Sequence, residues 1–549
     1  MRYELGMSPA EAADRPPHPV VSSALWAAWG DALGFITELT TSLGEVSRRS
    51  GGAKVENTVP WKRSIGGRFG PMVELPAGTY SDDTQLRLAV SRSIRANGRF
   101  DVEAFSKIEL PVFLSYELRA GKGTKAAAYE LMKRHVRWSS NFFKNDRANY
   151  LNAGGNGAAM RIQPHVWSAQ GYTPRQFMGW VAADAIITHG HPRGVVGAVI
   201  HANALSSVLR RGQIPDPEVW PQIVEYAASL PDVMQEHEAL RDRWLPLWEK
   251  GAGKPWREAI NETIAEGQAM VAEAQQAANG KDREATYHEL VVALGGKRRE
   301  TMGSGMIAAV ASLVAAWLYR DDPVEGLLMV VNQLGTDTDT IATLMGALLG
   351  ATGLPTPPGP LLDSEYILAE AERMVSISES QPTANFPHPD PLKWRPPSSL
   401  ADAVGTANGG WGVAGLGSVH STDGQYEIAG KSPTLYQWLT LAYGQTILIK
   451  RRPDPKPLPA TALPLERPAQ ASNGTAPRQA ALFDEAKSQA VASADETAGF
   501  DAALERVIAS GFDERVAGRE VLSIALMSVA QASQLASAIA AAYRVSTGR

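Results

Sequence analysis

Residues Asn332-Gln333-Leu334-Gly335-Thr336-Asp337-Thr338-Asp339-Thr340 run directly into the apolar stretch from Ile341 to Ala351. A turn bearing two carboxylates therefore opens a helix. Far earlier in the chain, Ser81-Asp82-Asp83-Thr84-Gln85 opens another helix in the same manner. A Ser or Asp at a helix start accepts from orphan backbone N–H groups, and the helix dipole favours a carboxylate there by about 0.3–1 kcal/mol. Capping explains one acid per helix, not two. Asp337 and Asp339 are two residues apart and would diverge on a helix, but on the preceding turn they can converge. If the two helix mouths meet, their carboxylates share a small volume, and like charges that close do not all ionise without a counter-charge. A divalent cation with oxygen ligands meets that need, with Ser and Thr hydroxyls completing its shell. The turn is not an EF-hand loop, because the turn Gly and the closing Glu are missing from the required positions.

The rest of the composition narrows the chemistry. The 549-residue chain has no Cys, which removes disulfides, thiolate ligands and Cys nucleophiles. Any metal must be held by oxygen or His, and oxygen-rich sites favour Mg, Mn or Ca over Zn. A net charge of -5 argues against a dedicated nucleic-acid binder. The first residues carry acids and prolines without an apolar core, unlike a secretory signal. The apolar runs Met306–Tyr319 and Leu522–Tyr543 are short or interrupted against the roughly 20 residues a membrane span needs. The expectation is a cytoplasmic protein with no membrane partner.

The length predicts more than one domain. Residues 1–20 read as a flexible tail, and 21–395 as a mainly α domain. Asp184–Leu209, Ile260–Ala278, Gly305–Tyr319 and Val324–Gln333 repeat apolar residues at helical spacing. No run of alternating strands is evident there, and Gly51–Phe69 and Ala153–Pro164 read as Gly-rich loops. Residues 396–452 read as a small β-leaning appendage, with Gln425–Ala429 and Gln445–Lys450 as its strands. Residues 453–482 are a Pro/Ala-rich linker, and 483–549 a helical segment on which Leu522, Leu526, Val529 and Leu535 form an apolar stripe. The cluster Lys450-Arg451-Arg452 reads as a solvated linker edge.

Four further segments bear on function. Asp31, on the otherwise apolar helix Ala24–Ile36, needs a partner if buried. Glu38 follows near that helix's end, where the dipole disfavours a carboxylate, and is a candidate acid, base or ligand. The loop Gly154-Gly155-Asn156-Gly157 could bring backbone N–H groups to a phosphate, although no Gly-Lys-Ser/Thr follows it as in a P-loop. His189 and His191 make no zinc spacing with His201 and suit a substrate contact or a loop turn better. Ser304 and Gly305, ahead of an Ala-rich helix, could hold a phosphate or ribose.

In this order, the segments GDALGFITE (30–38), SDDTQ (81–85), GNGAAMRIQP (155–164), THGHPRG (188–194) and TDTDTIATLMGALLGA (336–351) resemble the ADP-ribosylglycohydrolase family. The resemblance covers roughly residues 21–375 and leaves 400–549 unassigned. It implies a compact helical domain with two Mg2+ or Mn2+ ions in a central cleft. It assigns Ser81, Asp82 and Asp83 as one set of metal ligands and Asp337, Asp339 and Thr340 as the opposing set. Glu38 matches a Glu that serves some members as a ligand or mobile gate. Asn156 and Gly157 match the segment that holds the diphosphate or distal ribose, and His189 and Ser304 fall in segments lining the ADP-ribose cleft. Ser81 stands where Thr is usual and keeps the hydroxyl. Thr336 replaces a common Gly and could alter the turn.

The implied activity is hydrolysis of the C1″ bond of ADP-ribose attached to a target, a protein in the first instance, with Asp82, Asp83 or Glu38 taking the proton from water. A catalytically idle ADP-ribose-binding scaffold is the alternative, as is a hydrolase of ADP-ribosylated nucleic acid or of a free nucleotide. The segment beyond 400 could dock a protein partner.

Overall fold

The computed structural model describes residues 17–464, apart from 68–69, 408 and 429–432, together with scattered residues between 506 and 539. The site is positioned by a set of helices: α1 (Pro19–Thr37), α2 (Leu43–Ser50), α3 (Asp82–Ser93), α4 (Lys122–Leu131), α5 (Pro174–Thr188), α6 (Pro192–Arg211), α7 (Trp256–Ala277), α8 (Gly305–Leu318), α9 (Pro323–Val331), α10 (Thr338–Gly350) and α11 (Ser364–Ser378). The chain is mainly α, as the apolar spacing predicts.

The centre of the body is the pair α1 and α10. Pro19 starts α1 at a position where its missing N–H costs nothing, and the His18 ring accepts from the Val20 N–H. By length and composition α1 could cross a membrane, yet it lies entirely inside the protein. It can do so because glycines on both helices remove the side chains that would hold them apart. A Cβ at Gly30 would stand 2.4 Å from the Ala342 carbonyl oxygen, and one at Gly34 2.4 Å from the Asp339 Cα. In return, a Cβ at Gly346 would stand 2.3 Å from the Trp26 carbonyl oxygen, and one at Gly350 2.5 Å from that of Ser22. Hydroxyls fasten the contact: Ser23 donates to the Ala347 carbonyl (2.7 Å) and Thr338 to that of Gly34 (3.0 Å), while Thr37 ties α1 to the end of α9 by donating to the Val331 carbonyl (2.6 Å).

Several expectations are corrected. The run Asp184–Leu209 is not one helix. Pro192 disfavours helical backbone at the residue before it, so α5 ends at Thr188, and His191 caps α6 by accepting from the Arg193 N–H. The stretch Gly51–Phe69 is not all loop: Trp61–Ser64 (β1) pairs antiparallel with Met72–Leu75 (β2). The first helix begins at Pro19, inside the expected tail, while residues 1–16 lie outside the described ones.

Beyond α11, five strands form one antiparallel sheet in sequence order: β3 (Val404–Ala407), β4 (Gly410–Val413), β5 (Gly417–Ile428), β6 (Thr434–Leu441) and β7 (Thr446–Arg451). Of the β-leaning segments, residues 425–428 lie in β5 and 446–450 in β7, with Ala429 outside the described residues, and β6 pairs with both strands. The sheet belongs to the same unit as the helices, which extends to Glu466. The Lys450 N–H donates to the Ser115 carbonyl (2.9 Å) and the Trp438 indole to that of Glu74 (3.2 Å). Underneath, the fully buried Arg92 binds Glu109 through both nitrogens (2.9 and 2.8 Å) and Gln445 of the sheet (2.7 Å). The start of the expected linker is also attached, since Thr406 exchanges backbone bonds with Lys456 and Leu458. Arg451 is not at a solvated edge: it is buried and donates to Gln437 (2.6 Å). The helical segment expected over 483–549, with Leu522, Leu526 and Val529, falls largely outside the described residues, which form a second unit from Arg467 onward.

The interlocked glycines give a direct test. Gly346→Ala should destabilise the protein by about 1–3 kcal/mol, because the helices must move apart. Gly44→Ala, on α2, meets only a side-chain oxygen at 3.7 Å and should be neutral or gain about 0.5–1 kcal/mol. Urea unfolding midpoints read both.

Candidate active site

The α1–α10 contact places the Asp337 turn beside α1, and Asp31 on α1 then fixes the other acidic turn. Asp31 is fully buried, and its two oxygens accept from the Ser81 N–H (2.9 Å) and the Thr84 N–H (2.9 Å). One carboxylate of α1 therefore clamps the mouth of α3. Ser81 caps that helix, accepting from the Asp83 N–H (3.2 Å), so Asp82 and Asp83 are released from capping. At the other mouth Asp337 occupies the cap position but makes no capping bond with its side chain. Its carboxylate accepts instead from the Asn156 amide (2.8 Å). The left-handed turn before it is taken by Gly335 (φ 80°), which leaves Thr336 free to hydrogen-bond back to Gln333 (2.7 Å). The Thr336 departure thus leaves the turn intact.

The two mouths meet. The Thr340 hydroxyl lies 3.4 Å from Asp83 Oδ1. Asp82, Asp83, Asp337, Asp339 and Thr340 line one cavity of about 310 Å3, at the lower end of the size of small-molecule sites. Glu38, Asn156, Gly157 and His189 line it too. Ser81, Ser304 and Gly305 do not: Ser81 is the cap behind the carboxylates, and Ser304 and Gly305 support the glycine loop. That loop is stitched to them by Asn156 N–H to the Gly303 carbonyl (2.9 Å) and Gly305 N–H to the Gly154 carbonyl (3.2 Å).

The glycine loop is fixed from below by a buried ion pair. Arg161 donates to the Gly157 carbonyl (2.6 Å), to Asp184 (2.9 Å) and to Thr188 (2.9 Å), and His165 shares the second Asp184 oxygen (2.9 Å). Gly157 has no room for a side chain, since a Cβ there would stand 2.9 Å from the His189 ring. Burial, reinforced by the Arg161 charge, lowers the His189 imidazole to about 3, so the ring that faces the cavity is neutral at physiological pH.

Charge in the cavity is unbalanced. Burial raises the Asp82 and Asp83 carboxyls well above their ordinary range, and the nearby Asp339 raises both further. Asp337 and Asp339 are raised by burial as well, Asp339 further by Asp337. Asp83 Oδ2 is buried without a hydrogen-bond partner. Glu38 differs in having cationic partners: Arg63 on β1 (3.0 Å) and Arg119 (3.3 Å). Burial and Asp339 nevertheless push it up to about 7.

Neither these two arginines nor the segment that brings Arg119 stands out in the sequence. Arg119 holds a left-handed backbone (φ 84°), a costly conformation for a non-Gly residue. Gly121, Lys122, Gly123 and Thr124 follow it and line the same cavity. The signal was present, because Gly-Lys-Gly-Thr opens helix α4 with glycines and a cation.

Since the folded protein holds the Glu38 proton more tightly than the unfolded chain, this group lowers stability as pH rises from 4.5 to about 7. Glu38→Gln removes that term. In chelating buffer, the stability of the variant relative to wild type should increase by roughly 1–3 kcal/mol across this window. Thermal unfolding at several pH values checks it, and a pH-independent difference contradicts the assignment.

A family model described as ADP-ribosylglycohydrolase matches residues 20–357. The ADP-ribosyl-[dinitrogen reductase] glycohydrolase of Rhodospirillum rubrum is 32% identical over 164 residues, 30% of this chain and 48% of that protein. The chain thus spans about half the length of this curated relative. A solved structure described as an ADP-ribosylglycohydrolase-related protein complex matches at 19% identity with a TM-score of 0.40, covering 66% of this chain and 98% of that one. The family match spans more than half of the chain and every segment that lines the cavity. The chain belongs to the ADP-ribosylglycohydrolase family.

Proposed function

We propose that the chain hydrolyses the C1″ bond joining ADP-ribose to a modified protein, using two divalent cations, Mg2+ or Mn2+. The observation that carries this reading is the convergence of two acidic helix mouths on one cavity, facing a glycine loop that Asn156 ties to Asp337. The relative from Rhodospirillum rubrum is named for action on a modified protein, which supports a protein acceptor here.

The residues fit such ions chemically. The donors are carboxylates and a hydroxyl, hard oxygen ligands suited to Mg2+ or Mn2+. One carboxylate oxygen, Asp83 Oδ2, lacks any partner within the protein. The strongest charged neighbours of Asp82 and Asp83 are themselves carboxylates, a cluster that persists ionised only beside positive charge. Among the described residues no three such side chains already surround one point, so sharing an ion requires side-chain rotation. Asp82, Asp83, Asp337, Asp339 and Thr340 would hold the ions, while the Ser81 hydroxyl is engaged as the helix cap. Bound cations supply Lewis acidity and lower the pKa of water.

The chain's own groups do the rest. The Gly154–Gly157 backbone and Asn156 line the cavity beside the carboxylates, where they can hold the diphosphate and distal ribose. The neutral His189 ring can hydrogen-bond to the ligand without adding charge. Glu38, poised near neutrality, can accept a proton from the attacking water as C1″ gains oxocarbenium character. The bond from C1″ to the acceptor breaks, water oxygen bonds to C1″, and the acceptor leaves with a proton.

Asp337→Asn and Asp339→Asn should each lower kcat for ADP-ribose release from a modified peptide by at least about 100-fold, since metal-borne charge stabilisation is worth several kcal/mol. Both should remain folded, because each relieves repulsion. A panel of ADP-ribosylated Arg and Ser peptides, with Mg2+, with Mn2+ and with chelator, is the assay. Near-normal release by either variant, or release unaffected by chelator, contradicts the proposal.

A further inference from the structure

A second and larger cleft, about 1450 Å3, adjoins the carboxylate cavity, and Arg119 and Lys122 line both. Its walls come from separate parts of the chain. One is the β1–β2 hairpin with Arg63 and Gly66; another is α4, through Lys125 and Tyr129. Asn145 to Arg147 form a third, and Tyr436 and Lys450 of the C-terminal sheet close the cleft. The sheet side is held in register. The Lys450 N–H bonds the Ser115 carbonyl, itself a cleft residue, and a Cβ at Gly66 would stand 2.8 Å from the Tyr436 hydroxyl. The region that the family resemblance leaves unassigned therefore builds one wall of a cleft that opens onto the site.

The charge on these walls has a sign. Among the acids, Glu117 is paired with Lys125 (3.1 Å) and Glu130 with Lys133 (2.7 Å). Lys122, Arg147 and Lys450 make no ion pair among the described residues, and Arg119 lines the cleft with its side chain 43% exposed while sharing Glu38 with Arg63. A cleft with surplus cations, bordered by an exposed Tyr129 and a half-buried Tyr436, attracts an anionic partner. Phosphate chains fit less well than protein. Glu117, Glu130 and Asp146 lie along the same walls, where their oxygens accept from peptide N–H groups, donors that a phosphate backbone does not carry.

Building on the glycohydrolase reading, we infer that this cleft is the acceptor-binding groove and that it selects acidic segments of the modified protein, with the C-terminal sheet contributing Lys450 and Tyr436 to that selection. The acceptor chain lies along the cleft, while the ADP-ribose it carries passes Arg119 and Lys122 into the carboxylate cavity.

The test uses the full chain and two readouts. In the first, fluorescence anisotropy follows a short labelled peptide rich in Glu around one unmodified Arg. The double variant Lys450→Glu/Arg147→Glu should weaken its binding by about ten-fold or more, and Asp337→Asn should not. A peptide with Lys in place of Glu should bind more weakly to wild type than the Glu peptide and regain affinity in the double variant. In the second, release of ADP-ribose is compared between the modified Glu peptide and ADP-ribosylated free arginine. The double variant should lose kcat/KM on the peptide alone. Equal binding of the Glu and Lys peptides, or an equal loss on both ADP-ribosylated substrates, overturns the inference. So does tighter binding of an oligothymidylate than of the Glu peptide, which would identify the cleft as a nucleic-acid site. Charge-selective peptide binding without any ADP-ribose release would leave the groove standing and overturn the glycohydrolase reading instead.

Discussion

Everything at the site depends on how closely α1 and α10 approach. Gly30 and Gly34 on one helix, and Gly346 and Gly350 on the other, let each backbone sit where a side chain would otherwise be. A single Cβ at Gly34 would strike the backbone of Asp339 itself. The same contact that packs the core thus sets the height of the acidic turn. From α1, Asp31 then reaches the mouth of α3 and takes two of its backbone N–H groups. One helix positions both halves of the carboxylate cluster, and neither half is free to retreat from the other.

That rigidity has an electrostatic cost. Buried carboxylates in contact with one another oppose folding unless they are protonated or neutralised. The protein offsets part of it: Arg63 and Arg119 hold Glu38 at the edge, and the buried Arg87, which donates to the Thr84 hydroxyl, lies near enough to Asp31 and Asp83 to interact with both. The structural ion pairs elsewhere are complete: Arg92 with Glu109, and Arg161 with Asp184. On the proposed reading, the contrast separates groups that stabilise the fold from groups held for a ligand: the carboxylates sit in unfavourable charge surroundings, and the interlocked core keeps them there.

Much of this was legible in sequence because the chemistry is concentrated in contiguous stretches. Two acids on a turn before an apolar helix carry their own contradiction with simple capping, and the structure resolves it: Ser81 caps while Asp82 and Asp83 do not, and Asp337 stands at a cap position without capping. Small residues at 30 and 34 signalled close packing. Features that depend on distant partners were not legible. The β1 strand Trp61-Lys62-Arg63-Ser64 is too short to show alternation, and Arg63 gains meaning only through Glu38. The break between α5 and α6 was hidden by apolar residues on both sides, although Pro192 marked it. The sheet beyond residue 400 showed its middle strand β5 and its edge strand β7, but not that Gln445 reaches Arg92 or that Lys450 faces a cleft.

The central claim is that the two acidic mouths form one cation site rather than two acidic caps. Mn2+ binding to the full chain, followed by electron paramagnetic resonance or calorimetry, tests it most directly. Substitutions on either side of the cavity, Asp83→Asn on one helix mouth and Asp339→Asn on the other, should each weaken binding of the same ions by a comparable factor, and the pair together should cost less than the sum of the two. Full retention of Mn2+ affinity after either substitution would contradict the account.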